Sequence, residues 1–442
     1  MAEAGAERID ANVRSLSMPP SDYSRKNKRR GLARPPLAWM GFLALLVPVL
    51  VWLIISRSLV AYLVQTEPET ALSLNSSDPS ALVALAEKAI LFDKNPTTKS
   101  LNEARGRLEE ALSEFPLNAR ALRLLGQLLA RTGDDAKATK AMQTAARYSS
   151  QEVIAVDWAM RSSFQNKDYR SAAYYADVLL RVHQDLYKFA LPILGRMAED
   201  EVGKKEIKKL FATNPPWRFW FFIEPGLAIT DARTPLELLL SLKETDAPPT
   251  PGELQGYIGF LFGSKFYKFS YFVWRQFLPP DQLAHTGLLF NGGFETKPSG
   301  TLFDWKLEPA DGAFVDIAPR PGAPDKNALS VEFGQGRVNF GGVWEMVILP
   351  PGVYRLTGSY EGNVTGRRGM QWSVFCFGGS AIGESQMILG TFPEERQFEF
   401  DFKVPRTGCE VQTVRLDLAA RTSSEQLVAG LVRFADLSIE RK

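Results

Sequence analysis

Any chemistry in this chain would have to come from few side chains. The 442 residues include two histidines, His183 and His285, and two cysteines, Cys376 and Cys409. A cysteine–histidine zinc site needs four such ligands together, and these four are scattered. Neither histidine stands in a recognisable catalytic motif. The sequence contains no H-E-x-x-H, no G-x-S-x-G and no phosphate-binding glycine loop. The carboxylates Glu394 and Glu395 could in principle do acid–base work on a glycosidic bond, but they read as part of a charged, solvated turn. The residues therefore point to a chain that is not an enzyme, with a polysaccharide-modifying hydrolase as the alternative.

The most organising stretch carries no charge. Residues 36–56, PLAWMGFLALLVPVLVWLIIS, are apolar almost throughout. At about 1.5 Å rise per residue a helix of this length reaches roughly 30 Å, enough to cross a bilayer's hydrocarbon core. Trp39 and Trp52 stand near its ends, and Pro48 falls mid-span, where a kink is expected. Six basic residues from Arg25 to Arg34 precede the span and only Arg57 closely follows it. The positive-inside rule then leaves residues 1–35 as a disordered, basic cytoplasmic tail and puts everything after the span outside. A cleaved signal peptide is the rival, but its leading region and apolar core would be unusually long, and no small-x-small cleavage site follows. The net charge of +2 with 45% hydrophobic residues gives no sign of a nucleic-acid partner and allows two or three folded domains. Residues 57–77 read as a juxtamembrane stem, apolar through SLVAYLV and polar at SLNSSDPS.

From residue 78 to 281 the apolar pattern is helical and repeats. Ala104, Ala138 and Ala172 recur at a spacing of 34, as do Leu108, Met142 and Ala176, and Ala111, Ala145 and Leu179. Residues 120–133 supply an intervening helix with Leu122, Leu125, Gly126 and Leu129 on one face. This resembles the tetratricopeptide repeat, in which small residues let paired antiparallel helices approach closely. Leu125, Gly126, Ala104, Ala138 and Ala172 are the expected packing positions. About five repeats are expected, the later ones degenerate. The aromatic run 217–222 reads as a buried helix, with an interfacial membrane contact as the alternative, and residues 247–252 read as a proline-rich loop.

After residue 281 the pattern changes to alternation. Seven β-rich runs follow, at 328–333, 338–349, 353–360, 370–377, 396–404, 411–420 and 427–440. They predict an antiparallel sandwich of about eight to ten strands over residues 282–442. The fold class is thus multidomain: one transmembrane helix, an all-α solenoid, then an all-β sandwich.

The sandwich opens with LLFNGGFE (288–295) and FDW (303–305), carries LPPGVYRLTGSY (349–360) and closes with VRFADLSIERK (432–442). These segments resemble the jelly-roll carbohydrate-binding modules. The resemblance implies a first strand at NGGFE and a structural calcium between first and last strands, at Glu295 and Asp436. The other reading is two carboxylates solvated at a sheet edge. Sugar binding would need an exposed aromatic platform. Trp305, Trp344, Trp372, Tyr354 and Tyr360 are the candidates; Trp372 and Tyr354 read as facing the core and Trp344 as the most exposed, leaving Trp305, Trp344 and Tyr360 as ligand-binding positions. Outside the cytoplasm Cys376 and Cys409 can form a disulfide, the alternative being an unpaired, buried Cys376.

The expected molecule is a bacterial inner-membrane protein with its bulk in the periplasm. Its solenoid holds a protein partner and its sandwich holds a polysaccharide. The pairing resembles envelope proteins that accompany exopolysaccharide synthesis and export, which implies a non-catalytic scaffold. An assembly factor that binds only protein is a further alternative.

Overall fold

The computed structural model describes residues 37–93, 95–283 and 286–442. The basic tail, Pro36 and His285 lie outside the described residues, as do the side chains of residues 37–45. The chain divides into two compact units at Ala84/Leu85.

In the first unit, α1 (Leu37–Thr66) runs through the apolar span with Pro48 inside it. Its stretch Leu46–Thr66 is long and apolar enough to cross a membrane, and Trp52 is 71% exposed. The polar stem is not a plain linker. Pro68 starts a second helix, α2 (Pro68–Leu74), as suits a residue with fixed φ and no N–H to lose at a first turn. Next comes α3 (Pro79–Glu87), opened by the Asp78 carboxylate, which accepts from Ser80 N and Ala81 N at 3.0 Å. Val60, Ala71 and Ala81 close a small apolar cluster.

The second unit begins with a π-helical turn (Lys88–Phe92) and continues through α4 (Thr98–Glu114), α5 (Ala119–Arg131), α6 (Asp135–Tyr148), α7 (Val153–Gln165) and α8 (Tyr169–Val182). These are the regular tetratricopeptide-like hairpins. Asn118, Asp134 and Asp168 cap α5, α6 and α8 by accepting from the backbone N–H three residues on, which fixes where each helix starts. Ala104, Ala138 and Ala172 have no exposed surface, and neither do Leu108, Met142 and Ala176 one turn later. A Cβ on Gly126 would lie 2.8 Å from Met142 Cγ and 3.2 Å from the Ala138 carbonyl oxygen, so any larger residue there would have to displace Met142 or move α5 away from α6. Leu125 departs from expectation. It is half-buried, while Ala121, Leu124 and Leu128 are the enclosed apolar residues of α5 beside Gly126 and Leu129. Helix α5 packs on both α4 and α6, so its buried arc is wider than a single stripe.

The later helices are α9 (Tyr187–Glu199), α10 (Glu201–Ala212), α11 (Arg218–Ile223), α12 (Pro225–Ala228), α13 (Thr234–Leu242), α14 (Pro251–Gly263), α15 (Tyr267–Gln276) and α16 (Pro280–Leu283). The aromatic run is core: Trp217, Phe221 and Phe222 are fully buried and pack edge-on around Phe211. Beside them Arg218 is enclosed. Its guanidinium grips the Glu253 carboxylate at 2.6 and 2.9 Å and donates to the carbonyls of Phe211 and Ala247 at 2.8 and 3.0 Å. The expected proline-rich loop ends in a capping box between Thr250 and Glu253 that starts α14.

The sandwich is a jelly roll of two five-stranded antiparallel sheets. Its strands are β1 (Lys306–Leu307), β2 (Ala313–Arg320), β3 (Ala323–Phe333), β4 (Val343–Val347), β5 (Gly352–Gly366), β6 (Met370–Cys376), β7 (Ala381–Glu384), β8 (Gly390–Val404), β9 (Gln412–Leu418) and β10 (Val428–Arg441). One sheet has the order β1-β4-β9-β6-β7 and the other β2-β3-β10-β5-β8. Strands β1, β2 and β7 were not foreseen. Conversely, the expected first strand at NGGFE, 291–295, is a turn and loop, with Asn291 and Phe294 at positive φ values of 49° and 57° that regular strand backbone does not adopt. Glu394 and Glu395 lie within β8, not on a turn.

Solenoid and sandwich share one apolar core. Trp274 of α15 packs edge-on against Phe290 at 4.9 Å and tilted against Phe303 at 5.8 Å, and Phe262 of α14 meets Phe377 at 5.2 Å. The Trp274 indole N–H donates to the Thr301 hydroxyl at 2.9 Å. Helix α16 runs across the expected boundary at 281/282.

Candidate functional site

The expected aromatic platform does not assemble. Trp305 is fully buried; its ring packs on Trp372 and its N–H donates to the Asn291 carbonyl at 3.1 Å. A side chain closed off on all sides cannot stack on a sugar, so Trp305 holds the opening turn to the core. Tyr360 is half-buried, its ring edge-on to Phe392 at 5.0 Å. Trp344 is also half-buried, with Glu308 accepting from its N–H at 3.1 Å and Lys306 Nζ lying 5.7 Å from the ring centre. Tyr354 and Trp372 are core.

The expected calcium pair is not a pair of free carboxylates. Asp436 is exposed and already neutralised by Arg320, whose Nη1 donates to Oδ2 at 2.9 Å. Glu295 is exposed, and no group of three or more His, Cys, Asp or Glu able to hold a metal occurs among the described residues. Calcium takes six to eight oxygens. Cys376 and Cys409 are bonded, with S–S 2.01 Å, joining the end of β6 to the approach to β9 across a separation of 33 residues. In the chain-entropy model, closing such a loop contributes about 3–4 kcal/mol.

The structure does assemble a polar outer face on the sheet β2-β3-β10-β5-β8. Cross-strand register aligns Asp316, Ser330, Arg433 and Glu361 on it, Arg433 lying 3.9 Å from Glu361. The next row is small: Ala318, Ala328, Ala435 and Ser359. Arg320, Glu361 and Arg433 close over Ala328, Ala435 and Ser359, leaving no room for a water molecule between them. Arg320 also donates to Glu395 at 2.7 Å, tying β2 to β8. The Ser359 hydroxyl and the Arg320 guanidinium hold the Glu395 carboxyl below the usual carboxylate range. A carboxylate kept ionised this way is a poor proton donor. The guanidinium and carboxylate groups at the surface of this face can pair with hydroxyl and carboxylate groups of a ligand. Phe314, 65% exposed, is the large apolar side chain on the same face of β2. Sequence reading missed this face because β2 went unrecognised, although the alternation of Phe314, Asp316 and Ala318 with Val315 and Ile317 was there to be read.

No family model matches the chain, and no curated protein matches it. Among solved structures it is similar to a carbohydrate-binding module described as "CBM4 structure and function", at 15% identity and a TM-score of 0.26 over 35% of this chain and 99% of that one. A family 16 carbohydrate-binding module gives 15% identity and 0.25 over 35% of this chain and 100% of its own. Pseudomonas aeruginosa pilF gives 16% identity and 0.26, covering 50% of this chain and 91% of that one.

Proposed function

We propose that this chain is a non-catalytic, membrane-anchored scaffold in the periplasm of a Gram-negative bacterium, serving polysaccharide assembly or export. Helix α1 anchors it in the inner membrane with the N-terminus inside, the solenoid holds a protein partner, and the outer face of the β2-β3-β10-β5-β8 sheet holds a glycan. The observation that carries this reading is the shared core of solenoid and sandwich around Trp274, Phe290 and Phe303. Two recognition modules fused this way hold their ligands at a fixed separation, which suits a scaffold. On the polar face Arg320 is held by Glu395 and Asp436, whereas Arg433, whose ion pair with Glu361 is long at 3.9 Å, is the group that can meet an acidic group of a glycan.

The test is binding of the full chain in detergent to a panel of acidic and neutral polysaccharides. We expect an acidic polymer to bind, and Arg433→Ala to weaken it by about tenfold, the worth of one charge-assisted hydrogen bond. A second reading, an assembly factor that binds only protein, is favoured by the burial of Trp305 and Trp372. Failure of a folded chain to bind any polysaccharide would select it.

A further inference from the structure

A cavity of about 410 Å³ lies where α15 meets the sandwich. It is lined by Tyr271 and Arg275 of α15, by the segment Thr286–Phe290 and by Glu345 to Ile348 of β4 and its continuation. Strand β1 pairs only with Val343 and Trp344, so along that edge Glu345, Met346 and Val347 have no strand partner. Two polar groups here are unspent. Glu345 is 1% exposed; its Oε1 accepts from Phe290 N at 3.0 Å, and its buried Oε2 has no hydrogen-bond partner among the described residues. Arg275 is exposed and makes no ion pair among the described residues, its guanidinium reaching only the Thr286 hydroxyl at 3.4 Å and lying 5.9 Å from the Tyr271 ring centre. A buried oxygen without a partner is destabilising, and native proteins keep few of them, typically where a water, an ion, a ligand or catalysis uses the atom.

We infer that this cavity binds a small hydroxy acid of the uronic-acid class, its carboxylate on Arg275, a hydroxyl on Glu345 Oε2 and its C–H face against Tyr271 and the apolar wall. The alternatives fit less well. An apolar ligand would leave Oε2 orphaned. A cationic ligand would meet Arg275. A neutral sugar would satisfy Glu345 but leave the guanidinium without a counter-charge. The volume suits a single ring. Burial pushes the Glu345 carboxyl well above the usual carboxylate range, with the nearby Asp304 adding to the shift, so the protonated form is favoured. A protonated carboxyl can either donate to or accept from a hydroxyl. The inference goes beyond the scaffold reading, since the cavity shares no residue with the outer sheet face.

The experiment is calorimetric titration of the full chain in detergent with D-glucuronate, and with D-glucose as the neutral comparison. Glucuronate is expected to bind one per chain and glucose about tenfold or more weakly, the difference being one charge-assisted pair. Arg275→Gln, a surface change that leaves the fold intact, should remove that preference. Glu345→Leu should weaken both sugars, with some loss of melting temperature because the Phe290 N–H loses its acceptor. Arg433→Ala should leave glucuronate binding unchanged, separating this cavity from the outer face. No glucuronate binding by the folded chain, or binding indifferent to both Arg275→Gln and Glu345→Leu, would overturn the inference.

Discussion

The front of the solenoid and its back solve the same packing problem with different chemistry. From α4 to α8, helices meet mainly through Ala104, Ala138, Ala172 and Gly126, beside a part-buried ion network of Arg123 with Glu87 and Glu152, and the interface is set chiefly by residue size. From α10 to α14 the small-residue register fades. Phe211, Trp217, Phe221 and Phe222 fill the interior, and a fully enclosed Arg218–Glu253 pair is placed among them. The front can absorb a local error by sliding one hairpin. The back cannot, because Arg218 links the carbonyls of Phe211 and Ala247 to the start of α14, and each bond depends on the others. Size-based packing degrades gradually, whereas an enclosed charge network fails all at once.

The largest effect should therefore follow from breaking that network. Arg218→Met leaves Glu253 charged, buried and without its partner, which costs roughly 3–5 kcal/mol. The double change Arg218→Met with Glu253→Leu should recover most of the loss, since no buried charge then remains. Chemical denaturation of the three variants checks this. A double variant no better than the single would mean that the pair mainly sets the course of the 247–250 loop.

Next in size is the front. Gly126→Leu forces a side chain against Met142 and the Ala138 carbonyl and should cost about 1–3 kcal/mol, the usual range for overpacking. Met142→Ala in the same chain makes room and should offset part of it. An unchanged melting temperature for Gly126→Leu would show that α5 and α6 separate freely and that the interface is not set by size.

The same contrast explains what could be read from the sequence. The front was legible because its determinants recur at a fixed spacing of 34, so three weak signals at Ala104, Ala138 and Ala172 reinforced one another. The one departure there is Leu125, which lies on the buried face between Ala121 and Leu129 yet is only half-buried. Most strands of the sandwich were legible from alternation, but the opening at 288–295 was not. Its residues alternate like a strand, yet the backbone at Asn291 and Phe294 turns, and Trp305 and Leu437 from distant parts of the chain hold it there. Glu345 was illegible for a related reason. Within VWEMV it stands in an ordinary strand, and its burial comes partly from Phe290, 55 residues away. The sugar platform failed because a tryptophan's exposure is set by tertiary packing, which the residue type does not encode.

The smallest effect should appear in the pH dependence of stability, and it sharpens the contrast between a satisfied buried carboxylate and an unsatisfied one. The folded chain holds the Glu345 carboxyl well above its ordinary value of 4.5, chiefly by burial, so protonation is favoured by folding. The sign follows from linkage. The stabilisation is fully present below the ordinary carboxylate value and is lost as pH rises through the raised folded value, because the folded state must then keep a charge it cannot solvate or release a proton it would retain. Asp304 is raised by burial in the same sense, and Arg275 and Tyr271 are the other titratable groups lining the cavity. Melting temperature should thus decline as pH climbs above the carboxylate range, and Glu345→Gln should flatten the decline without abolishing it, the remainder belonging to Asp304. Parallel melting curves for the wild type and Glu345→Gln across that range would mean that solvent reaches Glu345 in the folded chain, in which case its Oε2 is hydrated and the cavity is an open cleft.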